Sequence, residues 1–358
     1  MKLNRFSQVK IPSIYFLKKL TDQTGIVQHA RYDVPDLRYG YCLDDNARAL
    51  IFASRCQQIE PKNKEFTSLC SIYLGYINLC QREDGKMHNF VSYDRHFVDD
   101  IGSEDSFGRA IWGLGEACEN LVDKSQAKLA EELLLASCVH IKELNAPRAI
   151  AYALCGLSAY VRKNPDFEQG KQIIKHGLIH LEKGFERYST NNWPWFENIL
   201  AYSNALIPMA LLGGGQAIND QKMIDLGIKS LDWILSQTEM ALADDIKVAA
   251  PIGSNGWFVK DGERAFFDQQ PIDVALTILA LKQAYSVTKN KKYLNSARLW
   301  FDWFSGKNMV GLEVADPKIG SCFDGLHSNS LNQNRGAEST IMYLLAALEM
   351  AMPNKNSK

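Results

Sequence analysis

Apolar residues recur along this 358-residue chain at the three- to four-residue spacing of buried helix faces, whereas alternating runs of β-branched residues are scarce. Pro208 is expected to kink one of the predicted helices or to delay its start, and the Gly213-Gly214-Gly215 run is expected to end that helix. The pattern predicts twelve helices, near residues 11–20, 45–59, 63–81, 105–121, 124–143, 147–161, 166–187, 198–212, 217–238, 271–287, 290–305 and 335–350.

The predicted helices alternate between two kinds. One kind opens with polar residues and continues as an Ala- and Gly-rich apolar run, as in residues 44–53 (DDNARALIFA) and 104–117 (EDSFGRAIWGLGEA), which indicates burial on most sides. The other kind, as in residues 123–144, carries charge on one face. We therefore expect an all-α fold, six hairpins closed into an (α/α)6 toroid with inner and outer rings. It should form a single domain over residues 1–358, with a disordered tail from about 352 to 358.

Most of the long predicted connections come directly before an inner helix. Because the inner helices would run parallel to one another, these connections should gather on one face of the toroid. Long loops on a rigid scaffold are where function commonly lies. The connections cover residues 22–44, 82–104, 188–197, 239–270 and 306–334.

These connections bring acids, amides and aromatic rings to the starts of the inner helices, a combination typical of sugar sites. Cleavage of a glycosidic bond needs one protonated and one ionised carboxyl group. The candidate catalytic residues are Asp45, Asp105, Glu197 and Asp268. Indole rings suit the C–H faces of sugars, and polar groups bind hydroxyls. The candidate substrate-binding residues are Asp44, Arg48, Glu104, Arg109, Trp193, Trp195, Trp257, Gln270, His327, Asn334 and Glu338.

Purely structural interpretations compete with these roles. Arg48 and Arg109 follow acids by three and four residues, so each could form an ion pair within its own helix. Trp193 and Trp195 could pack beneath a lid. Acids and amides at a helix start are also favoured as N-caps or as partners of the helix dipole. This last interpretation applies to Asp45, Asp105, Asn334 and Asp273, and Asp273 looks most like a plain first-turn acid.

Charge and cysteine content narrow the function classes. The 40 basic and 41 acidic residues nearly cancel, so a nucleic-acid partner is not indicated. The eight cysteines show no metal-like spacing, and neither a metal nor a cofactor is expected. The first twenty residues lack a signal-peptide core, and no apolar run is long enough to span a membrane. We expect a reduced, soluble, cytoplasmic protein whose partner is an oligosaccharide or glycoside, with its oligomeric state open.

Four segments carry a family resemblance: HARYDVPDLRYGYCLDDNARAL at 29–50, GSEDSFGRAIWGLGEA at 102–117, NWPWFENILAYSNALIPMALL at 192–212 and NQNRGAEST at 332–340. They resemble glycosidase-related proteins of the six-hairpin glycosidase superfamily, a branch found near glycosyltransferases and mannoside phosphorylases. The resemblance implies an (α/α)6 fold and a carbohydrate ligand. It does not supply a catalytic pair, because the superfamily also holds epimerases and unsaturated-glycoside hydrolases.

The leading hypothesis is a glycoside hydrolase that acts on a small or intracellular oligosaccharide by an inverting route, with Asp45 and Asp105 as the central carboxyl groups. A sugar epimerase or isomerase on the same fold is the first alternative, for which His29 and His327 are the available acid and base. The second alternative is a non-catalytic carbohydrate-binding accessory protein of a glycosyltransferase system.

Overall fold

The computed structural model describes residues 9–242 and 246–353, and helices dominate these ranges. The α-helices are α1 (Tyr15–Leu20), α2 (Leu43–Ile59), α3 (Lys64–Cys80), α4 (Glu104–Asn120), α5 (Lys124–Cys138), α6 (Pro147–Lys163), α7 (Glu168–Tyr188), α8 (Leu206–Ile218), α9 (Gln221–Thr238), α10 (Pro271–Thr288), α11 (Lys292–Asp302) and α12 (Ala337–Ala351). Short 3-10 segments cover Leu37–Tyr39 and Val139–Glu143.

The strands in the described ranges are short and pair two by two in antiparallel fashion. They are β1 (Ala30–Arg31) with β2 (Val34–Pro35), β3 (Tyr41–Cys42) with β4 (Phe90–Val91), β5 (Ile199–Leu200) with β8 (Phe258–Val259), β6 (Glu239–Ala241) with β7 (Lys247–Ala249), β9 (Ala315–Asp316) with β10 (Ser321–Cys322), and β11 (Gly325–Leu326) with β12 (Leu331–Asn332). Most of them lie in the connections that lead to inner helices.

The even-numbered helices form a closed inner ring. Each contacts the next along the chain, from α2 against α4 to α10 against α12, and α12 contacts α2 to complete the circle. The odd-numbered helices pack outside this ring: α3 against α2, α5 against α4 and so on, with α1 against α12. The predicted (α/α)6 toroid is therefore confirmed.

Two inner helices cross with their backbones in contact. A Cβ atom added at Gly115 of α4 would lie 2.0 Å from the carbonyl oxygen of Gly156 in α6, and one at Gly156 would lie 2.1 Å from that of Ile111. The small residues that the sequence shows in inner helices thus let the ring close tightly, as close packing of helices requires.

Gly115→Ala is expected to lower the free energy of unfolding by about 3 kcal/mol or more, because its methyl group has no space between two backbones. Gly75→Ala is the matched control. Gly75 lies in α3 with nothing within 4 Å of an added Cβ, so alanine should stabilise the helix by roughly 0.5–1 kcal/mol. Urea denaturation of both variants measures the two effects. If both substitutions changed the free energy of unfolding in the same direction, this packing would be contradicted.

The predicted helix at 198–212 is where the sequence analysis was least accurate. The helix starts later than predicted, at Leu206, which is one of the two effects expected of Pro208, and Pro208 lies in its first turn. The glycine run does not end it, and this prediction was wrong: α8 continues to Ile218. The reason is packing, since an added Cβ at Gly214 would meet the Leu178 side chain at 3.0 Å, and one at Gly215 would meet Ile224 at 2.8 Å.

Other boundaries differ by a few residues. The first helix begins at Tyr15 rather than near residue 11, and the predicted 290–305 helix shortens to α11. Met352 and Pro353 follow α12, and the remainder of the predicted tail, 354–358, lies outside the described residues. Within the described ranges, none of the helices combines the length and the apolar character needed to cross a membrane.

Candidate functional site

The first two turns of the inner helices carry acids and arginines that hydrogen-bond from one helix to the next. We call this set the polar ring. Its helices bring together residues that are far apart in the sequence, and the connections before them add further side chains. The polar ring consists of Asp44, Asp45, Arg48, Asp105, Arg109, Arg148, Glu197, Tyr202, Asp273 and Glu338.

Arg48 joins α2 to α12. Its Nη1 lies 2.9 Å from Asp45 Oδ1, and its Nη2 lies 2.7 Å from Glu338 Oε2. Cys42 Sγ donates to the other Asp45 oxygen at 3.1 Å. Burial raises the pKa of Asp45 to about 7, although the charge of Arg48 opposes this shift. Asp45 is 3% exposed and both its oxygens are engaged, so it is placed to position Arg48 rather than to meet a ligand.

Arg109 joins α4 to α2 and α6, and its partner Asp105 joins α4 to the connection before α8. Its Nη1 lies 2.8 Å from Asp44 Oδ1, its Nη2 lies 3.4 Å from Asp105 Oδ2, and its guanidinium stacks on Tyr152 at 4.6 Å. The Tyr202 hydroxyl donates to Asp105 Oδ2 at 2.7 Å. Burial and the nearby Asp105 raise the pKa of Tyr202, which therefore keeps its proton and acts as a donor.

Arg148 of α6 was missed in the sequence analysis. Its Nη1 lies 3.0 and 2.8 Å from the two Glu197 oxygens, its Nε donates to the Tyr202 carbonyl at 2.5 Å, and its guanidinium stacks on the Tyr202 ring at 4.8 Å. A signal was present, because a basic residue directly after Pro147 lies at the positive end of the helix dipole. Such a residue needs a partner outside its own helix.

Asp273 of α10 was interpreted from sequence as a plain first-turn acid, and the structure places it in the polar ring. Its Oδ1 accepts from the Ser203 backbone N–H at 2.7 Å. Its Oδ2 is buried and has no hydrogen-bond partner among the described residues. Burial, with a smaller contribution from the charge of Glu338, raises the pKa of Asp273 to about 7, although the Ser203 N–H and Arg148 oppose this shift.

Beyond the polar ring, two predicted residues form an accessible pair. Asp268 Oδ1 hydrogen-bonds His327 Nδ1, and the two side chains are 39% and 38% exposed. A cis peptide bond joins Phe267 to Asp268. Trp257 is half-buried with its ring centroid 6.5 Å from that of Tyr202, so it stays a candidate for contact with a sugar ring.

Trp193 and Trp195 do not floor a sugar site, and this expectation is corrected. They are 4% and 0% exposed, and their rings pack against Trp233 at centroid distances of 5.0 and 5.9 Å. Trp193 Nε1 also donates to the Glu197 carbonyl at 2.7 Å. Both rings are covered by protein, so they stabilise the connection that carries Glu197, which is the packing interpretation given above.

Of three other predicted ligand-binding residues, Glu104 and Asn334 brace loops. Glu104 Oε2 accepts from the Asn145 and Ala146 backbone N–H groups at 2.9 and 2.7 Å and so holds the start of α6. Asn334 Oδ1 accepts from the Tyr32 N–H at 2.9 Å. Gln270 is the N-cap residue of α10 and makes no side-chain cap hydrogen bond. In residues 9–242 and 246–353, no group of three His, Cys, Asp or Glu side chains is arranged to hold a metal ion.

Solved structures share this fold over nearly the whole chain. A D-mannose isomerase superposes with a TM-score of 0.72 at 11% identity, covering 94% of each chain. A cellobiose 2-epimerase from Bacillus thermoamylovorans gives 0.71 at 13% identity, covering 94% of this chain and 96% of that one. A family 76 α-mannanase from Bacteroides thetaiotaomicron gives 0.61 at 11% identity, covering 94% and 92%.

No known protein-family profile and no curated protein sequence matches the chain. The expected resemblance to the six-hairpin glycosidase superfamily is confirmed at the level of the fold. One fold can host several reactions, so identities of 11–13% leave the activity to be argued from the side chains themselves.

Proposed function

We propose that this protein is a carbohydrate-active enzyme that hydrolyses a glycosidic bond in an oligosaccharide, with Asp273 as the general acid and Glu338 as the general base. The observation that carries the proposal is the contrast between the environments of these two carboxyl groups. Asp273 is 6% exposed, has a pKa raised to about 7 by burial and has an unpartnered oxygen. Glu338 has a 43% exposed side chain and is paired with Arg48.

Glycoside hydrolysis requires this kind of division between two carboxyl groups. The protonated Asp273 Oδ2 would donate its proton to the leaving oxygen as the bond from C1 to that oxygen breaks. Glu338 would take a proton from the water whose oxygen bonds to C1. Arg48 holds Glu338 in place, and the Arg109 and Arg148 ion pairs fix Asp105 and Glu197 in the same ring. The expected route is still a single displacement that inverts the configuration at C1.

The test uses the full chain and ladders of linear gluco- and manno-oligosaccharides carrying a fluorescent reducing-end label. Cleavage yields shorter labelled products on chromatography. Glu338→Gln should lower kcat by about 10²–10⁴-fold, because it removes the base. Glu132→Gln is the matched control, since Glu132 lies on the outer helix α5 with a 61% exposed side chain. Full activity of Glu338→Gln would contradict the assignment, and the anomer first formed, read by NMR, separates inversion from retention.

The Asp268–His327 pair favours a second candidate, a sugar epimerase or isomerase. A carboxylate that orients an imidazole is suited to moving protons near neutral pH. The other histidine considered, His29, is exposed and packs edge-on against Tyr39 at 4.6 Å, whereas His327 is held by Asp268. Epimerisation in D₂O would place deuterium on a sugar carbon without shortening the oligosaccharide. Because this reaction needs a free reducing end, parallel incubations with unlabelled oligosaccharides distinguish the two candidates.

A further inference from the structure

Exposed apolar side chains concentrate on two neighbouring loops. Nine of the eighteen large hydrophobic residues that are exposed in the described ranges fall within 32–39 and 90–101. The rings are Tyr32, Tyr39, Phe90, Tyr93 and Phe97, with exposures of 60%, 55%, 39%, 49% and 44%. We call these five rings the aromatic shelf. Apolar groups concentrated in this way on a surface mark a binding site more often than chance exposure does.

The aromatic shelf is continuous with the polar ring. β3, which leads directly into α2 and Asp44, pairs with β4, so Cys42 lies opposite Phe90. Asn89 binds the same helix start, because its carbonyl accepts from the Leu43 N–H at 2.8 Å and its Nδ2 lies 3.4 Å from Asp44 Oδ2. The shelf thus begins one residue from the side chains that hold α2.

The other side of the shelf reaches the connection before α12. The Tyr32 N–H donates to Asn334 Oδ1 at 2.9 Å, and the Tyr32 carbonyl accepts from the Arg335 N–H at 2.9 Å. Glu338, the proposed base, lies three residues after Arg335. The five rings therefore flank the sector of the polar ring between α12 and α2, where Arg48 joins those helices.

Ring stacking and backbone hydrogen bonds hold part of the shelf in place. Tyr93 stacks on the buried Tyr41 with an interplanar angle of 17°, and Phe97 stacks on His88 with ring centroids 3.9 Å apart. The Asp99 carboxylate accepts from the backbone N–H groups of Asn89 and Phe90 at 2.8 Å each. Rings fixed before binding lose little conformational entropy when a ligand arrives, which favours affinity.

We propose that the aromatic shelf binds further sugar units of a linear oligosaccharide whose cleaved bond lies in the polar ring; this rests on the proposed function. The exposed polar residues Asp33, Arg38, Asp94, Arg95 and His96 are interspersed with the rings. A surface that alternates apolar ring faces with hydrogen-bonding groups matches a sugar chain, which presents C–H faces and hydroxyls together. The substrate class is thus an oligosaccharide longer than a disaccharide.

The test compares kcat/KM along the labelled ladder from two to six units. In the wild type, kcat/KM should rise with length up to four or five units. In the Tyr39→Ala/Phe90→Ala double variant, it should fall by about 10-fold at five units and much less at two. Tyr15→Ala is the matched control, because Tyr15 is 65% exposed on the outer helix α1, and it should keep the wild-type length dependence.

Binding measurements separate failure of the shelf from failure of the proposed function. If the wild type cleaves no member of the ladder, the hydrolase proposal fails, and calorimetric titration with the same oligosaccharides tests the shelf alone. Affinity that grows with length and is lost in the double variant supports the shelf. Turnover or affinity independent of length overturns it. A wild-type dimer that the double variant converts to a monomer, seen by light scattering, also overturns it, because the rings would then bind a second copy.

Discussion

Replacing Arg48 with methionine is expected to lower the free energy of unfolding by about 3–5 kcal/mol, because the change leaves a buried carboxyl group without its partner. Arg48 is 1% exposed, and its Nη1 lies 2.9 Å from Asp45 Oδ1. The second pair of Arg48, with Glu338, adds less to stability because that side chain is 43% exposed and water screens its charge. Denaturant unfolding at pH 7 measures the loss.

The destabilisation should grow as the pH rises. Arg48 lowers the pKa of Asp45 against the effect of burial, so without Arg48 the folded state holds the Asp45 proton more tightly. Below the ordinary aspartate pKa of 3.8, Asp45 is protonated in both the folded and the unfolded state, and the loss is smallest. Between that pH and about 7 the folded wild type and the folded variant both keep the proton, so the loss changes little. As the pH rises through about 7, the folded wild type releases this proton and the folded variant does not, so the difference in unfolding free energy increases.

Arg38→Met is the matched control for this prediction. Arg38 also pairs with an aspartate, Asp36, but its side chain is 76% exposed, so no measurable change in stability is expected. Adding Asp45→Asn to the Arg48→Met variant should restore part of the lost stability, since the unpaired acid is then removed. Equal losses in the Arg48 and Arg38 variants would show that the buried pair does not stabilise the ring.

The fold could be predicted because the composition of each helix indicates how much of its surface is buried. Inner helices such as α2 and α4 are buried on nearly all sides, and their Ala- and Gly-rich runs show this directly. The end of α8 could not be predicted in the same way. A glycine commonly ends a helix, and only the position of Leu178 and Ile224 on the neighbouring helices shows that Gly214 and Gly215 make room for packing.

The site was predictable only in part. Local sequence identifies polar residues at helix starts, but the ion pair between Arg48 and Glu338 joins residues far apart along the chain and depends on the ring closing. Asp45 and Asp273 are both first-turn acids, and what separates them is whether their oxygens have partners, which is a tertiary property. Composition likewise could not show that Trp195 is fully covered.

Asp273→Asn is expected to lower kcat by about 10²–10⁴-fold, because the amide is too weak an acid to protonate a leaving oxygen. The fold should persist, since the amide oxygen can still accept the Ser203 N–H that Asp273 Oδ1 accepts at 2.7 Å. Wild-type kcat should fall as the pH rises through about 7, the pKa to which burial raises Asp273, because the acid then loses its proton. The residual activity of the variant should lack this fall.

The same substitution has a separate effect on stability. Because its folded-state pKa is raised, Asp273 contributes stability that is present below its ordinary pKa of 3.8 and is lost as the pH rises to about 7. The unfolding free energy of the wild type relative to Asp273→Asn should therefore decrease over that range. Denaturant unfolding at several pH values measures this change independently of any substrate.

Asp45→Asn is the matched control for catalysis. Asp45 is also a buried first-turn acid with a pKa of about 7, but Arg48 and Cys42 engage its two oxygens. We expect Asp45→Asn to reduce stability while lowering kcat far less than Asp273→Asn does. If Asp45→Asn causes the larger loss of kcat and removes the fall above pH 7, the proton donor is Asp45, one of the two central carboxyl groups expected from the sequence, and the unpartnered oxygen of Asp273 has no catalytic role.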